Sequence, residues 1–159
     1  LISRSKKFKS INAQINSANI GFHSLDKYYN IDTIIINEAE LRHELRDRNE
    51  KLEKLMIKLT NKIKCKNLVV TSGDSGVSLY NKKNNKFHFC PAFASKIVDK
   101  VGAGDTMLAI LSIMLKSKID IDVSLFLSSI AAAESVESIG NSISIQKNQI
   151  FKKAEHMLK

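Results

Sequence analysis

The chain has 159 residues, with 25 lysines and arginines against 16 aspartates and glutamates, and so carries a net charge of +9 at neutral pH. This length suffices for one domain with a real core. The basic residues are spread without an aromatic-interleaved stripe, which favours a solvated basic surface and argues against a nucleic-acid partner. No stretch approaches the ~20 apolar residues of a membrane-spanning helix, which argues against a membrane partner.

The first part of the chain alternates predicted strands and helices. Residues 8–15 are compatible with a short strand, and residues 22–29 predict a helix. The β-branched run at 33–36 is typical of a strand buried on both faces of a parallel sheet. Glu38 and Glu40 then suit the first turn of a helix, where negative charge is favourable.

The middle of the chain predicts one helix and three strands. Apolar side chains recur at three- and four-residue spacing from residue 52 onward, which predicts an amphipathic helix returning across the sheet. Residues 67–71 supply the next strand. Residues 77–80 and 86–90 flank a polar turn, which predicts a hairpin at the sheet edge.

The last part of the chain predicts three helices. Residues 107–115 are apolar nearly all round, which predicts a buried helix. Residues 123–136 predict a second, largely apolar helix, and residues 150–158 a final amphipathic one. Because strands and helices alternate and no linker is evident, the sequence predicts one α/β domain over residues 1–159 with a doubly wound, mainly parallel sheet.

The cysteines and histidines show no metal-site or disulfide pattern. Cys65 and Cys90 lie far apart and form no Cys-x-x-Cys pair, which favours a reducing, cytoplasmic location. The histidines are scattered without the spacing of ligands, so surface or structural roles are favoured over metal binding.

The segment Gly102-Ala103-Gly104-Asp105 stands immediately before the apolar run at 107–115. Glycine permits unusual backbone conformations, and the first N–H groups of a helix lack partners within it, so they attract anions. Taken alone, the segment is more typical of an ordinary helix start with Asp105 or Thr106 as its cap. Its place before a buried helix favours an anion site.

Residues 99–106 resemble the C-terminal signature of the ribokinase-like (PfkB) carbohydrate kinases. Two further segments occur in the order expected of that family. Residues 37–40, Asn-Glu-Ala-Glu, resemble its Asn-x-x-Glu motif, and residues 71–76, Thr-Ser-Gly-Asp-Ser-Gly, resemble its Thr-x-Gly-x-x-Gly turn beside the nucleotide phosphates. Each motif is short, but three in order are specific, and the resemblance covers about residues 32 to 158.

The resemblance implies ATP-dependent phosphorylation of a sugar or sugar-phosphate hydroxyl. Asp105 would be the base that takes the hydroxyl proton, and the N–H groups of Gly102, Ala103 and Gly104 would form the anion hole for the transferring phosphoryl group. If the strand predictions hold, the motifs follow the carboxyl ends of strands and converge on one crevice.

The resemblance also implies the nucleotide-binding residues. They are Thr71, Ser72, Gly73 and Gly76 in the turn, with Ser129 on the adenine-side helix. Small side chains and permissive backbone would let a triphosphate approach. Without the other motifs, the same residues are more typical of a plain turn.

The metal-binding residues are implied in the same way. Asn37 and Glu40 would order magnesium and its water shell, although a cap followed three positions later by Glu also begins many ordinary helices. Both interpretations can hold together. Asp99 matches a position associated in some members with a monovalent cation, and the neighbouring Lys100 could replace that ion's charge, so potassium dependence stays open.

Members of this family are about twice as long as this chain, so we expect it to be the C-terminal part of a sugar kinase, without the sugar-site and lid portion. The identity of the sugar therefore stays open, and heptose phosphates, ribose-like sugars and nucleosides all fit. Many relatives pair through the lid, which makes a homodimer of the full-length protein a further expectation. The alternative function is a non-catalytic nucleotide-binding or regulatory module.

Overall fold

A computed structural model describes residues 7–14, 25–94, 102–137 and 144–159 of the chain. In this part the strands are β1 (Ser10–Ala13), β2 (Thr33–Asn37), β3 (Asn67–Thr71), β4 (Val77–Asn81) and β5 (Lys86–Cys90). The helices are α1 (Glu38–Leu45), α2 (Leu52–Ile63), α3 (Ala103–Lys116), α4 (Ile121–Val136) and α5 (Lys147–Met157). None of the described helices is long and apolar enough to cross a membrane.

The five strands form one open sheet in which their spatial order is their order along the chain. β2 pairs in parallel with both β1 and β3, whereas β3 pairs antiparallel with β4. The sheet is therefore mixed, and β5 lies at its edge beside β4, which confirms the predicted hairpin. Each of the five predicted strands is present, and the predicted α/β fold is confirmed.

The described part of the chain forms two compact units, the first of which lies within residues 1–73 and 77–88. Its core is formed by β-branched and leucine side chains of β2 and β3 together with the apolar face of α2. The side chains predicted from their spacing on α2 are all buried: Leu55, Met56, Leu59 and Ile63. This burial confirms that the helix is amphipathic.

The second unit comprises residues 74–76 and 89–159. Within it, α3 packs against α4, and α4 packs against α5. The contact between α4 and α5 is apolar, with Ile130 and Ala131 on one helix and Ile150 and Ala154 on the other. The predicted helices at 123–136 and 150–158 are therefore confirmed, and each begins a few residues earlier than predicted.

The prediction that α3 is buried on all sides is wrong. Only Met107 and Leu111 are buried along the helix, and the Ile113 side chain is 66% exposed. An apolar helix is buried all round only where neighbours cover each side, and among the described residues the side that carries Ile113 is left largely exposed while the helix packs against α4.

The prediction for residues 22–29 is also wrong in its described part. Residues 22–24 lie outside the described residues, and the remainder forms a single 3-10 turn at Leu25–Lys27. Leu25 is fully buried and belongs to the core of the first unit. In the described part of the segment, Leu25 is buried in this core and Tyr28 packs against it, without the repeated apolar face that would hold a longer helix.

Candidate functional site

An open groove lies where β2 and β3 end. The two strands are parallel and in register, so that Asn37 is paired with Thr71 at the carboxyl ends of the strands. The cavity has a volume of about 410 Å³ and is lined by Asn37, Glu38, Ala39, Arg42, Thr71, Ser72 and Gly73. The structure thus brings together four predicted site residues: Asn37 from one motif, and Thr71, Ser72 and Gly73 from another.

Asn37 begins α1 with a reciprocal pair of hydrogen bonds. The Glu40 backbone N–H donates to Asn37 Oδ1 at 2.8 Å, and the Asn37 backbone N–H donates to Glu40 Oε2 at 3.0 Å. This capping box satisfies two backbone donors that the helix itself leaves without partners. The pair predicted from the resemblance as metal-ordering residues therefore also has the structural role of starting the helix.

Glu38 connects α1 to the turn that follows β3. The Ser72 hydroxyl donates to Glu38 Oε2 at 2.7 Å. Arg42 donates to Glu38 Oε1 from Nε at 3.0 Å and from Nη2 at 2.8 Å. The hydrogen bond from Ser72 and those from Arg42 hold the pKa of the Glu38 carboxyl below its usual value. Glu38 is therefore ionised at neutral pH.

Two glycines of the 71–76 turn have left-handed backbone, but their surroundings differ. Gly73 has φ +56° and open space where a side chain would stand. Gly76 has φ +91°, and a Cβ there would lie 2.9 Å from the Pro91 Cα and still closer to the Cys90 carbonyl oxygen. Gly73 leaves the backbone open to the groove, whereas Gly76 permits close packing on the segment that follows β5.

In the second unit, Gly102 opens α3. It is the N-cap residue, with φ +91° and ψ −13°, in the left-handed region that favours glycine. The first intrahelical bond runs from the Thr106 N–H to the Gly102 carbonyl at 2.9 Å. By helix geometry, the N–H groups of Ala103, Gly104 and Asp105 have no carbonyl partner within the helix. Asp105 is exposed and lies in this first turn.

The remaining predicted residues are Ser129 and Asp99. Ser129 lies in the middle of α4, where it is 6% exposed. Its hydroxyl is close enough to the Cys90 thiol to offset part of the rise that burial causes in the pKa of that thiol, although the two groups form no regular hydrogen bond. Asp99 lies outside the described residues.

The sequence matches a known protein family over most of its length. Residues 5–148 match the pattern of the pfkB family carbohydrate kinases, which is most of the chain. The chain belongs to the pfkB family. This match confirms the resemblance drawn from the three motifs.

The proteins to which this pfkB chain is similar include a bifunctional bacterial protein and two ribokinases of known structure. The chain is 30% identical to the bifunctional protein HldE of Campylobacter jejuni in an alignment of 151 residues. This alignment covers 92% of this chain and 32% of that protein. The ribokinase of Thermotoga maritima superposes with a TM-score of 0.79 at 23% identity, over 96% of this chain and 50% of that one. The ribokinase of Arabidopsis thaliana, complexed with ribose and ATP, superposes with a TM-score of 0.67 at 24% identity. This superposition covers 77% of this chain and 40% of that one.

The pfkB chain corresponds to only a part of each of these three proteins. It spans about a third of the HldE protein and half or less of the two ribokinases. The structural similarity, at this level of identity, establishes the ribokinase-like α/β fold.

Glu38 and Arg42 were not predicted as site residues, although both line the groove. Their i,i+4 spacing on a predicted helix is a recognisable signal for an ion pair, and this pair is present. The bond from Ser72 joins residues 34 positions apart in the sequence. That contact depends on the pairing of β2 with β3, so local pattern could not have indicated it.

Proposed function

We propose that the protein transfers the terminal phosphoryl group of ATP to a hydroxyl of a sugar or sugar phosphate. Membership of the pfkB family carries this proposal, supported by the geometry at the start of α3. A left-handed glycine there is followed at once by backbone donors and by an exposed carboxylate. Because the chain spans about a third of the HldE relative, the activity is proposed for the full-length protein.

We assign Asp105 as the general base. The acceptor hydroxyl gives its proton to the Asp105 carboxylate as its oxygen attacks the terminal phosphorus of ATP, and the bond from that phosphorus to the bridging oxygen of ADP breaks. The N–H groups at Gly102, Ala103 and Gly104 donate to the oxygens of the transferring group. Ala103 and Gly104 belong to the first turn of α3 and Gly102 is its N-cap, so these donors need little rearrangement as charge develops.

We assign the groove and the 71–76 turn to the nucleotide. The Thr71 and Ser72 hydroxyls stand at the end of β3, and Gly73 presents backbone without a side chain in the way. Gly76 gives the turn its shape. Ser129 is kept as the adenine-side residue, and its buried hydroxyl is compatible with that role.

The residues at the start of α1 fit magnesium only through water and phosphate. Within the described ranges no group of three or more His, Cys, Asp or Glu side chains could hold a metal ion by itself. Asn37 and Glu40 offer oxygen donors, which magnesium prefers, and that ion retains several waters in most sites. Bound there, it would neutralise charge on the phosphates. A potassium role for Asp99 stays a prediction.

For the sugar, the oligomeric state and the cellular location, we keep the predictions made from the sequence. The Thermotoga and Arabidopsis neighbours are ribokinases, which favours a small-molecule sugar as the substrate class. A homodimer of the full-length protein and a cytoplasmic location are both kept as predictions.

The Asp105→Asn variant of the full-length protein tests the proposal. We expect sugar-dependent ADP formation to fall about 10²- to 10⁴-fold, with the KM for ATP nearly unchanged, because the amide cannot accept the hydroxyl proton. The matched control is Asp122→Asn, which changes an exposed aspartate in the first turn of α4 in the same way. It should retain full turnover.

Two results would contradict the proposal. If Asp105→Asn retains wild-type turnover, Asp105 is not the base. If the wild-type protein binds ATP but forms no ADP with any sugar offered, a non-catalytic nucleotide-binding or regulatory module is the better description.

A further inference from the structure

Glu38 lines the groove and accepts hydrogen bonds from Ser72 and Arg42, yet it belongs to neither the anion hole nor the metal pair. Both of its carboxylate oxygens are engaged: Oε2 by Ser72 and Oε1 by Arg42. These three hydrogen bonds hold the Glu38 carboxylate in one orientation. Its place in the groove therefore calls for a role that acts through its neighbours.

Arg42 in turn is fixed on its other side. Its Nη1 donates to the backbone carbonyls of Arg48 at 3.1 Å and of Glu50 at 2.9 Å. The guanidinium thus joins α1 to the loop that leads into α2, and its planar fork holds the Glu38 carboxylate in one orientation. Arg42 also balances the negative charge of Glu38, which would otherwise repel a nucleotide phosphate in the groove.

We propose that Glu38 is a positioning residue: it holds Ser72, at the start of the 71–76 turn, in the arrangement that binds nucleotide. This inference rests on the assignment of that turn to ATP. A charge-assisted bond of 2.7 Å fixes the turn on α1, while the β2–β3 pairing carries the turn only as far as Thr71. The hydrogen bond from Ser72 to Glu38 therefore positions the first residue after the paired part of β3.

The kinetic test compares Glu38→Gln, Ser72→Ala and the double variant in the full-length protein. Each single change should raise the KM for ATP about three- to tenfold, because a charge-assisted bond is lost or weakened, and should leave the KM for the sugar unchanged. Since both residues act through one bond, the double variant should be no worse than the more severe single change. Ser72→Thr, which keeps the hydroxyl, should restore the wild-type KM for ATP.

The control is Glu53→Gln, a change to an exposed glutamate in the first turn of α2. It should leave both KM values unchanged. A sugar KM that rises as much as that for ATP, or additive effects in the double variant, would overturn the positioning role.

Hydrogen exchange without nucleotide tests the link separately from turnover. In Glu38→Gln, the amides of Ser72 and Gly73 should exchange faster than in the wild type, and the amides of β2 should be unchanged. Equal exchange at these two amides would overturn the inference even in an active kinase. If faster exchange occurs in a protein that forms no ADP, the link exists and the proposed function has failed by itself.

Discussion

Gly73 and Gly76 adopt left-handed backbone three residues apart, and the structure gives them different reasons to be glycine. At Gly73 only the backbone conformation favours glycine, because a Cβ would meet nothing within 4 Å. At Gly76 the backbone conformation and the close approach of Cys90 and Pro91 both exclude a side chain. The second glycine is therefore required for packing as well as for the shape of the turn.

The two glycines can be separated by alanine substitution. We expect Gly73→Ala to lower the free energy of unfolding by about 1 kcal/mol, the usual cost of left-handed backbone for a residue with a Cβ. Gly76→Ala should lower it by about 2–4 kcal/mol, because backbone atoms must also move. Urea unfolding of both variants measures the difference. Equal losses would show that the segment after β5 moves away without cost.

Lys153 on α5 joins two acidic residues at the end of α4. Its ammonium forms ion pairs with Glu134 and Glu137, the latter at 3.0 Å. Burial acts to lower the pKa of Lys153, but the hydrogen bonds to the two carboxylates outweigh it, so the pKa is raised. A raised pKa means that the pair stabilises the folded state at neutral pH and loses this effect only as alkaline pH passes the folded value.

Lys153→Met tests the strength of this contact between elements. The change should lower the free energy of unfolding by about 1 kcal/mol, a modest value because all three side chains are partly exposed. The loss should shrink in 1 M salt. Salt screens the attraction between Lys153 and the two carboxylates in the wild type, and it also screens the repulsion between the carboxylates in the variant. Lys152→Met, at the exposed neighbouring position, should have no effect. A loss that does not depend on salt would indicate packing instead of charge.

The elements that could be predicted from the sequence are those with a regular pattern. The β-branched run of β2 and the apolar spacing of α2 indicate their structure within a single element, and both are present with little change. The order of the three motifs predicted the family in the same way. Burial of α3 could not be predicted, because a helix that is apolar on every side does not indicate which side has a neighbour.

Individual residues of the candidate site could be predicted from the sequence, but most of the contacts between them could not. Asn37 and Glu40 form the capping box that their spacing indicates. The Ser72–Glu38 bond could not be predicted, because it depends on the register between two parallel strands that are joined by two helices. Roles that rest on the resemblance, such as that of Asp105, need measurements of activity.

At the scale of the whole molecule, a bound nucleotide should stabilise the folded state by mass action. A ligand at 100 times its Kd that binds only the folded protein adds about 2.7 kcal/mol to the free energy of unfolding. Magnesium should increase this effect if Asn37 helps to order its water shell. The same side chain also caps α1, so a test must separate loss of the cap from loss of the metal.

Asn37→Ala and Asp120→Ala make that separation, because each removes a side chain that caps a helix. Asp120 caps α4 by accepting from the N–H groups of Asp122 and Val123. Both variants of the full-length protein should lose about 1 kcal/mol of stability. Calorimetric titration with a non-hydrolysable ATP analogue should show tighter binding with magnesium in the wild type and in Asp120→Ala, and a smaller gain in Asn37→Ala. If the gain from magnesium is equal in all three proteins, Asn37 serves only to start its helix, and the metal is ordered elsewhere.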